Sequence, residues 1–324
     1  MSDQGDPIPD DLERQATLLM DAPMVGVGAE AFLPRIFDLW AKGLPPGTRT
    51  GWQNVDELYT VAPGQLTIVT GWPGSGKSEW LDALLLNIAR QDWRICLHSP
   101  ENRPEEIHVV KYLEKFTGKP FGEGVNERLT ESEVAEAVHC IKDWFGFLVA
   151  SADAEQSTFN IEQIMGAAEL WFRMKGYWRK KPCGLVIDPW NELVHQRPSH
   201  WSETEYVSAT LTALRSWART HGVHVWVVAH PQKLPRDQKG ELPVPRPDTI
   251  SGSQHWWNKA DNCVTVWRDY DNRDAPVQVH VQKVRFKHIG KIGMAKLDYD
   301  RVTGQYRMHR EPGEYYGPRE VRRA

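Results

Sequence analysis

The sequence is poor in cysteine, in excess positive charge and in long apolar runs, and each shortage removes a class of function. Four cysteines occur in 324 residues, Cys96, Cys140, Cys183 and Cys263, far apart and with no C-x-x-C pair among them. This excludes a zinc ribbon or a disulfide scaffold; Cys96 and Cys183, set in apolar strand-like runs, read as buried thiols in a reducing compartment. No stretch approaches the length of a membrane-spanning helix. The N-terminus, Met1-Ser2-Asp3-Gln4-Gly5-Asp6, is acidic with no apolar segment behind it, so no secretory signal is expected and the cytoplasm is the default setting. With 39 Lys and Arg against 43 Asp and Glu, formal net charge −4, the chain is not coated in positive charge, although a narrow basic channel inside an assembly stays compatible with that sum. No internal repeat is present.

Charge is unevenly placed. Asp3, Asp6, Asp10, Asp11, Glu13, Asp21 and Glu30 face only Arg14 in the first 30 residues, whereas residues 283–324 are rich in Lys and Arg. Residues 31–42 form a helical or turn segment with an apolar face, stopped by Gly43 and Pro45-Pro46. From Gly64 the rhythm changes. Apolar strands at Gln65–Thr70, Trp93–Ser99, Cys183–Ile187 and His224–Ala229 are separated by helical patterns at Glu79–Arg90, around Val109–Phe116, at Glu131–Trp144, 160–178 and Glu203–Thr220. Continuous apolar strands between helices of this length predict βαβ units and a mostly parallel sheet. After a proline-rich loop at 231–249 the pattern turns strand-rich, at Cys263–Arg268, Val277–Phe286 and Lys296–Tyr299. The fold class expected is therefore α/β with a strand-rich C-terminal part.

Chemistry concentrates at Gly71-Trp72-Pro73-Gly74-Ser75-Gly76-Lys77-Ser78. The spacing G-x-x-x-x-G-K-S after a strand and before a helix is that of a P-loop: glycines fold the backbone around phosphate, the helix start adds its positive dipole end, Lys77 reaches the β and γ phosphates, and Ser78 is placed to hold Mg²⁺. ATP or another nucleoside triphosphate with Mg²⁺ is the expected cofactor pair. A carboxylate at the end of a neighbouring strand should complete the metal shell, and Asp188 has that placement. Glu101, beyond the strand ending at Ser99, is the candidate general base; Glu105 and Glu106 are better suited to open the next helix. His230 closes the fourth strand, where a polar side chain can report the γ phosphate.

Beyond single motifs, the ordered succession Gly51-Trp52 to Asp56-Glu57-Leu58-Tyr59, the loop at 71–78, Ser99-Pro100-Glu101-Asn102, Ile187-Asp188-Pro189-Trp190-Asn191, Ala229-His230-Pro231-Gln232-Lys233, Ile250-Ser251-Gly252-Ser253 with Asn258-Lys259-Ala260-Asp261-Asn262, and Gln282-Lys283-Val284-Arg285 resembles the helicase domain of ring-shaped replicative DNA helicases. The resemblance covers roughly residues 45–305 and points to the branch of phage primase-helicases and the mitochondrial replicative helicase. It implies a RecA-like core, a hexameric ring, and 5′-to-3′ translocation on single-stranded DNA driven by triphosphate hydrolysis, in a bacterial or phage-infected cell. Carried over residue by residue, it makes Glu101 the catalytic carboxylate, Asp188 the second acid of the magnesium shell, His230 the switch, and Lys283 with Arg285 the pair reaching into the adjacent subunit, Arg285 as arginine finger. Residues i and i+2 of a strand point the same way, so both cations can aim at one phosphate across an interface.

The resemblance also divides the chain into an acidic flank at 1–44 with a candidate subunit-linking helix, a motor at 45–305 and a basic tail at 306–324. No primase activity is expected, and a primase or loader would be a separate partner. Loops after the strands carrying Asp188 and His230 would face single-stranded or forked DNA, with Arg197, Lys233, Arg236, Lys239, Arg246 and the Gly252 backbone as the contacts. Trp256-Trp257 are expected to pack at the sheet instead of stacking on bases. Two other functions use the same core: a RecA/RadA-like recombination ATPase, and a KaiC-like signalling ATPase indifferent to DNA.

Overall fold

A computed structural model of the chain describes residues 26–150, 159–236, 242–251, 254–272 and 274–311. The chain up to Pro45 is a unit by itself. Its helix α1 (Leu33–Lys42) carries Leu33, Ile36, Phe37 and Trp40 at i, i+3, i+4 and i+7, and all four are exposed.

From Pro46 onward a second unit is built on one sheet. A short α2 (Gln53–Asp56) leads to β1 (Leu66–Thr70), followed by α3 (Lys77–Ala89), β2 (Arg94–His98), α4 (Glu105–Thr117), α5 (Glu131–Ile141) and β3 (Phe145–Phe147). Then come α6 (Ile161–Met174), β4 (Cys183–Ile187), α7 (Glu203–His221), β5 (Val223–Val228), α8 (His255–Lys259), β6 (Asn262–Trp267), β7 (Val277–Val284), β8 (Gly293–Tyr299) and β9 (Tyr306–Met308). The strand order is β3-β2-β4-β5-β1-β6-β7-β8-β9. Pairing is parallel from β3 to β6 and antiparallel from β6 to β9.

The central strands are buried on both faces, which is why they read as unbroken apolar runs. Alternation in β5 splits them between two cores. Trp226 and Val228 join Trp80, Leu84 and Tyr112 under α3 and α4, while Val225 and Val227 join Phe172, Leu211 and Leu214 under α6 and α7. Gly184 in β4 exists for that packing: a Cβ there would sit 2.5 Å from the Trp226 ring. Helices α5, α6 and α7 each open on a capping box, Thr130/Glu133, Asn160/Gln163 and Ser202/Glu205, so their starts are fixed locally.

Three boundaries differ from the sequence expectation. The helix expected over Glu131–Trp144 stops at Ile141, and the chain leaves as β3; the one expected over 160–178 stops at Met174, two residues before Gly176 with its positive φ of 70°. The sheet also runs past residue 305 into β9. Edge strands of three residues have no period to read, so pairing partners alone define them.

Candidate nucleotide and active site

The loop at 71–78 crosses from the C-terminal end of β1 to the start of α3, and its backbone demands its glycines. Gly71, Gly74 and Gly76 have φ of 149°, 76° and 89°, and a Cβ on Gly71 would lie 2.2 Å from the Val266 carbonyl. Two aromatic residues hold the loop from outside. Tyr270 donates its hydroxyl to Pro73 O at 2.6 Å, and the Trp72 indole donates to Pro243 O at 2.8 Å. Lys77 is almost fully buried and donates to Trp72 O at 3.0 Å. Burial pulls its ammonium down to about 8, with Asp188 and Glu101 opposing. A lysine so poorly compensated is ready to exchange a carbonyl for a phosphate.

Asp188 follows β4, whose register with β2 sets His98 opposite Ile187, and its N–H donates to His98 O at 2.9 Å. Burial drives its carboxyl up to about 6; the Ser78 hydroxyl hydrogen-bonds it and works the other way, while Asp82 and Glu101 add negative field. Oxygen donors in a local excess of negative charge are what a hard divalent cation satisfies, so Ser78 and Asp188 fit Mg²⁺. Among the described residues no cluster of three or more His, Cys, Asp or Glu could hold a metal ion.

Glu101 and His230 meet across the same edge, His230 Nε2 lying 3.9 Å from Glu101 Oε1, and both side chains are partly exposed. Burial, then Lys77, lowers the His230 pKa, so the imidazole is neutral near pH 7. Its buried Nδ1 lacks a hydrogen-bond partner, as does Ser75 Oγ. Glu105 and Glu106 open α4. The loop bearing Glu101 is pinned to the P-loop helix by residues the sequence reading passed over: Lys111 donates to Asn102 Oδ1 at 2.8 Å and pairs with Glu79 at 2.9 Å. One turn further along α3, buried Asp82 accepts from Tyr112 at 2.8 Å and lies 3.1 Å from His108 Nε2. His108 and Tyr112 stand i, i+4 on α4, a spacing that marks a shared face but not its partner.

Lys283 and Arg285 are not brought to this edge. Antiparallel β7 pairs Val284 with Asn262 at the start of β6, so both cations sit at the opposite end of the sheet from the P-loop of their own chain. Lys283 donates to the carbonyls of Trp257 and Asn258 in α8. Arg285 lies 2.8 Å from Asp261, a fully buried carboxylate that Arg215 and Arg219 also reach, at 2.7 and 3.2 Å, and that accepts the Leu66 N–H at 3.1 Å.

Of the expected DNA contacts, Arg197, Lys233 and Arg236 are exposed after β4 and β5, on the P-loop side of the sheet. Arg246 lies over the Trp257 ring at 4.6 Å and 3.5 Å from Asp248, so its guanidinium already has partners. Lys239 and Gly252 fall outside the described residues. Trp256 is fully buried, edge-on to Trp190 at 5.0 Å, which is the packing role expected of it.

Known proteins resemble this chain in sequence and in fold. A protein of Arabidopsis thaliana named as a chloroplastic and mitochondrial Twinkle homolog is 42% identical over 269 residues, 80% of this chain and 36% of that protein. The chain thus spans little more than a third of that relative's length. A solved ATPase domain superposes with a TM-score of 0.72 at 14% identity, covering 88% of this chain and 100% of that one. A DnaB-like replicative helicase, from a structure describing its interactions with primase, gives 0.69 at 15% identity over 91% of this chain and 71% of its own. No protein-family model matches the chain. With the P-loop following β1 and acids beyond the ends of β2 and β4, the chain has the RecA-like fold of these ATPase domains and is similar over most of its own length to the Twinkle homolog.

Proposed function

We propose that the protein is a subunit of an ATP-driven DNA helicase that works as a ring, moving 5′ to 3′ on single-stranded DNA. The observation that carries this reading is the division of the active site: one sheet edge holds the P-loop, Ser78, Asp188, Glu101 and His230, and the other holds Lys283 and Arg285, beyond reach of the same chain's phosphates. A second copy is needed to complete it.

In this reading the N–H groups of 71–78 and the start of α3 bind the β and γ phosphates. Lys77 gives up Trp72 O for a phosphate oxygen. Ser78 and Asp188 hold Mg²⁺, which when bound neutralises charge developing on the phosphates. Glu101 takes a proton from the attacking water. His230 hydrogen-bonds the γ phosphate and passes its presence to the loop behind β5. Arg285 of the neighbour, released from Asp261, stabilises the transition state, which ties hydrolysis to assembly. Arg197, Lys233 and Arg236 face the DNA, and the apolar stripe of α1 serves subunit linkage; a primase or loader is a separate partner. Three buried free thiols suit a reducing compartment. Among the described residues no helix is long and apolar enough to cross a membrane.

The test is turnover against protein concentration, with and without single-stranded DNA, for the native protein and R285A, beside strand displacement on forked DNA of both tail polarities. The expected result is assembly-dependent, DNA-stimulated turnover that falls about 10³-fold in R285A while labelled nucleotide still binds. Turnover indifferent to DNA favours a signalling ATPase; filaments without displacement favour a recombination ATPase. Unchanged turnover in R285A removes that residue from its role.

A further inference from the structure

Alongside α2, the end of α3 and β9 lies a groove of about 1880 Å³ lined by none of the nucleotide-site residues named above. It opens beside the chain entering β1, the C-terminal end of α3 and the outer strand β9; the isolated bridge Tyr59↔Gly290 and the bond from Thr60 N to Ile289 O form one wall. Three segments distant in sequence each deliver cations to it: Arg49 before β1, Lys287 and Lys291 after β7, Arg307 and Arg310 on and beyond β9. All five are exposed, and none is paired with a described acidic side chain.

Elsewhere the surface cations are mostly paired, as in Lys119 with Glu127 and Glu133, Arg173 with Glu169, or Lys296 with Glu311. Three acids line the groove: Asp298, 2.6 Å from His309, Asp56, which accepts the Thr50 N–H and hydroxyl, and Glu57; none of them pairs with the five cations. Five unpaired cations against three carboxylates leave the groove net positive in a chain whose net charge is −4.

None of the large apolar side chains exposed among the described residues lines the groove. A peptide partner would want an apolar anchor in such a place; a phosphate backbone wants spaced cations and open polar floor. We infer that this groove is a second nucleic-acid site, taking the phosphate backbone of a strand other than the one at the loops after β4 and β5. The inference borrows its ligand class from the DNA reading above but assigns a separate surface.

Lysine footprinting of the full chain tests it: an amine-reactive ester is applied with and without a 30-nucleotide oligo-dT, a duplex of equal length, or poly-glutamate, at two protein concentrations, and modification is read by mass spectrometry. Lys287 and Lys291 should be shielded at least threefold by nucleic acid, and the single-strand and duplex arms tell which form binds. Shielding by poly-glutamate alone makes the groove a site for acidic protein and overturns the proposal. Shielding that grows with protein concentration and not with DNA makes it a contact between copies, which also overturns it. If DNA shields Lys233 but neither groove lysine, this proposal fails alone; if DNA shields none and leaves turnover unchanged, the helicase reading fails with it.

A second measurement uses K287E/K291E/R307E/R310E. Its slope of log affinity against log salt should fall by about 3, four charges at roughly 0.7 each, with labelled nucleotide binding retained. Should that variant not fold, K287Q/K291Q should lower the slope by about 1.4 on the same scale. An unchanged slope in a folded variant overturns the assignment.

Discussion

Two buried aspartates, one at each end of the sheet, show how the same side chain is spent differently. Asp261 lies among three arginines and accepts a backbone N–H, so its charge is matched where it stands. Asp188, at 5% exposure, has the Ser78 hydroxyl and the Lys77 ammonium against two further carboxylates, and burial pushes its carboxyl up to about 6. The first arrangement locks β6 to α7 and β1. The second withholds compensation, as do the unpartnered Ser75 Oγ and His230 Nδ1 beside it, and leaves binding energy to be supplied by a ligand.

The contrast can be broken most severely at its stable end. Asp261→Ala should cost about 4 kcal/mol in denaturant unfolding, because it strands Arg215, Arg219 and Arg285 and orphans the Leu66 N–H. A loss below about 1 kcal/mol would show that solvent replaces the carboxylate and that the cluster holds little together.

Asp188→Asn works in the opposite direction. The folded-state pKa of Asp188 is raised from 3.8, so without nucleotide and Mg²⁺ the native state binds the extra proton between roughly pH 4 and 6. Stability then falls as pH rises through that window, by about 3 kcal/mol in total at 1.36 kcal/mol per pKa unit. The asparagine variant should lose that dependence in unfolding measured across pH 4–7, while its turnover with Mg²⁺ collapses. A pH dependence equal to the native protein's would mean Asp188 is better solvated than its burial indicates.

Smaller effects sharpen the picture. Gly184→Ala should cost about 2 kcal/mol through overpacking against Trp226, seen as a lowered melting temperature with nucleotide affinity unchanged. Tyr270→Phe removes the hydroxyl that holds Pro73 O and should weaken nucleotide binding about fivefold, worth about 1 kcal/mol, without changing the melting temperature. Equal affinity in that variant would leave the P-loop held by its glycines and Trp72 alone.

How much was legible in the sequence follows from range. The P-loop, the apolar central strands and the starts of the long helices are local patterns, and the structure has them where they were read. The acids at the ends of β2 and β4 were also findable, because a strand end has a sequence signature. Asp261 appeared only as one letter of a motif: its partners Arg215 and Arg219 are 46 and 42 residues away, and no spacing rule joins them. Tyr270, 197 residues from Pro73, was invisible for the same reason. Arg246 shows the converse. Its charge reads as a DNA contact, and the fold also sets it over Trp257 and beside Asp248, neighbours that no spacing rule joins to it.

The placement of β6 between β1 and β7 has a mechanical consequence. Only one strand separates the one that leads into the P-loop from the one that carries Lys283 and leads into Arg285, and both are hydrogen-bonded to it. In the proposed assembly the P-loop and the Lys283–Arg285 pair thus belong to one stiff plate, their offset set by a strand of five or six residues, about 17–20 Å. In the ring proposed above, such plates would set the gauge between neighbouring fuel sites at about a strand length, and a step around it would tilt whole plates.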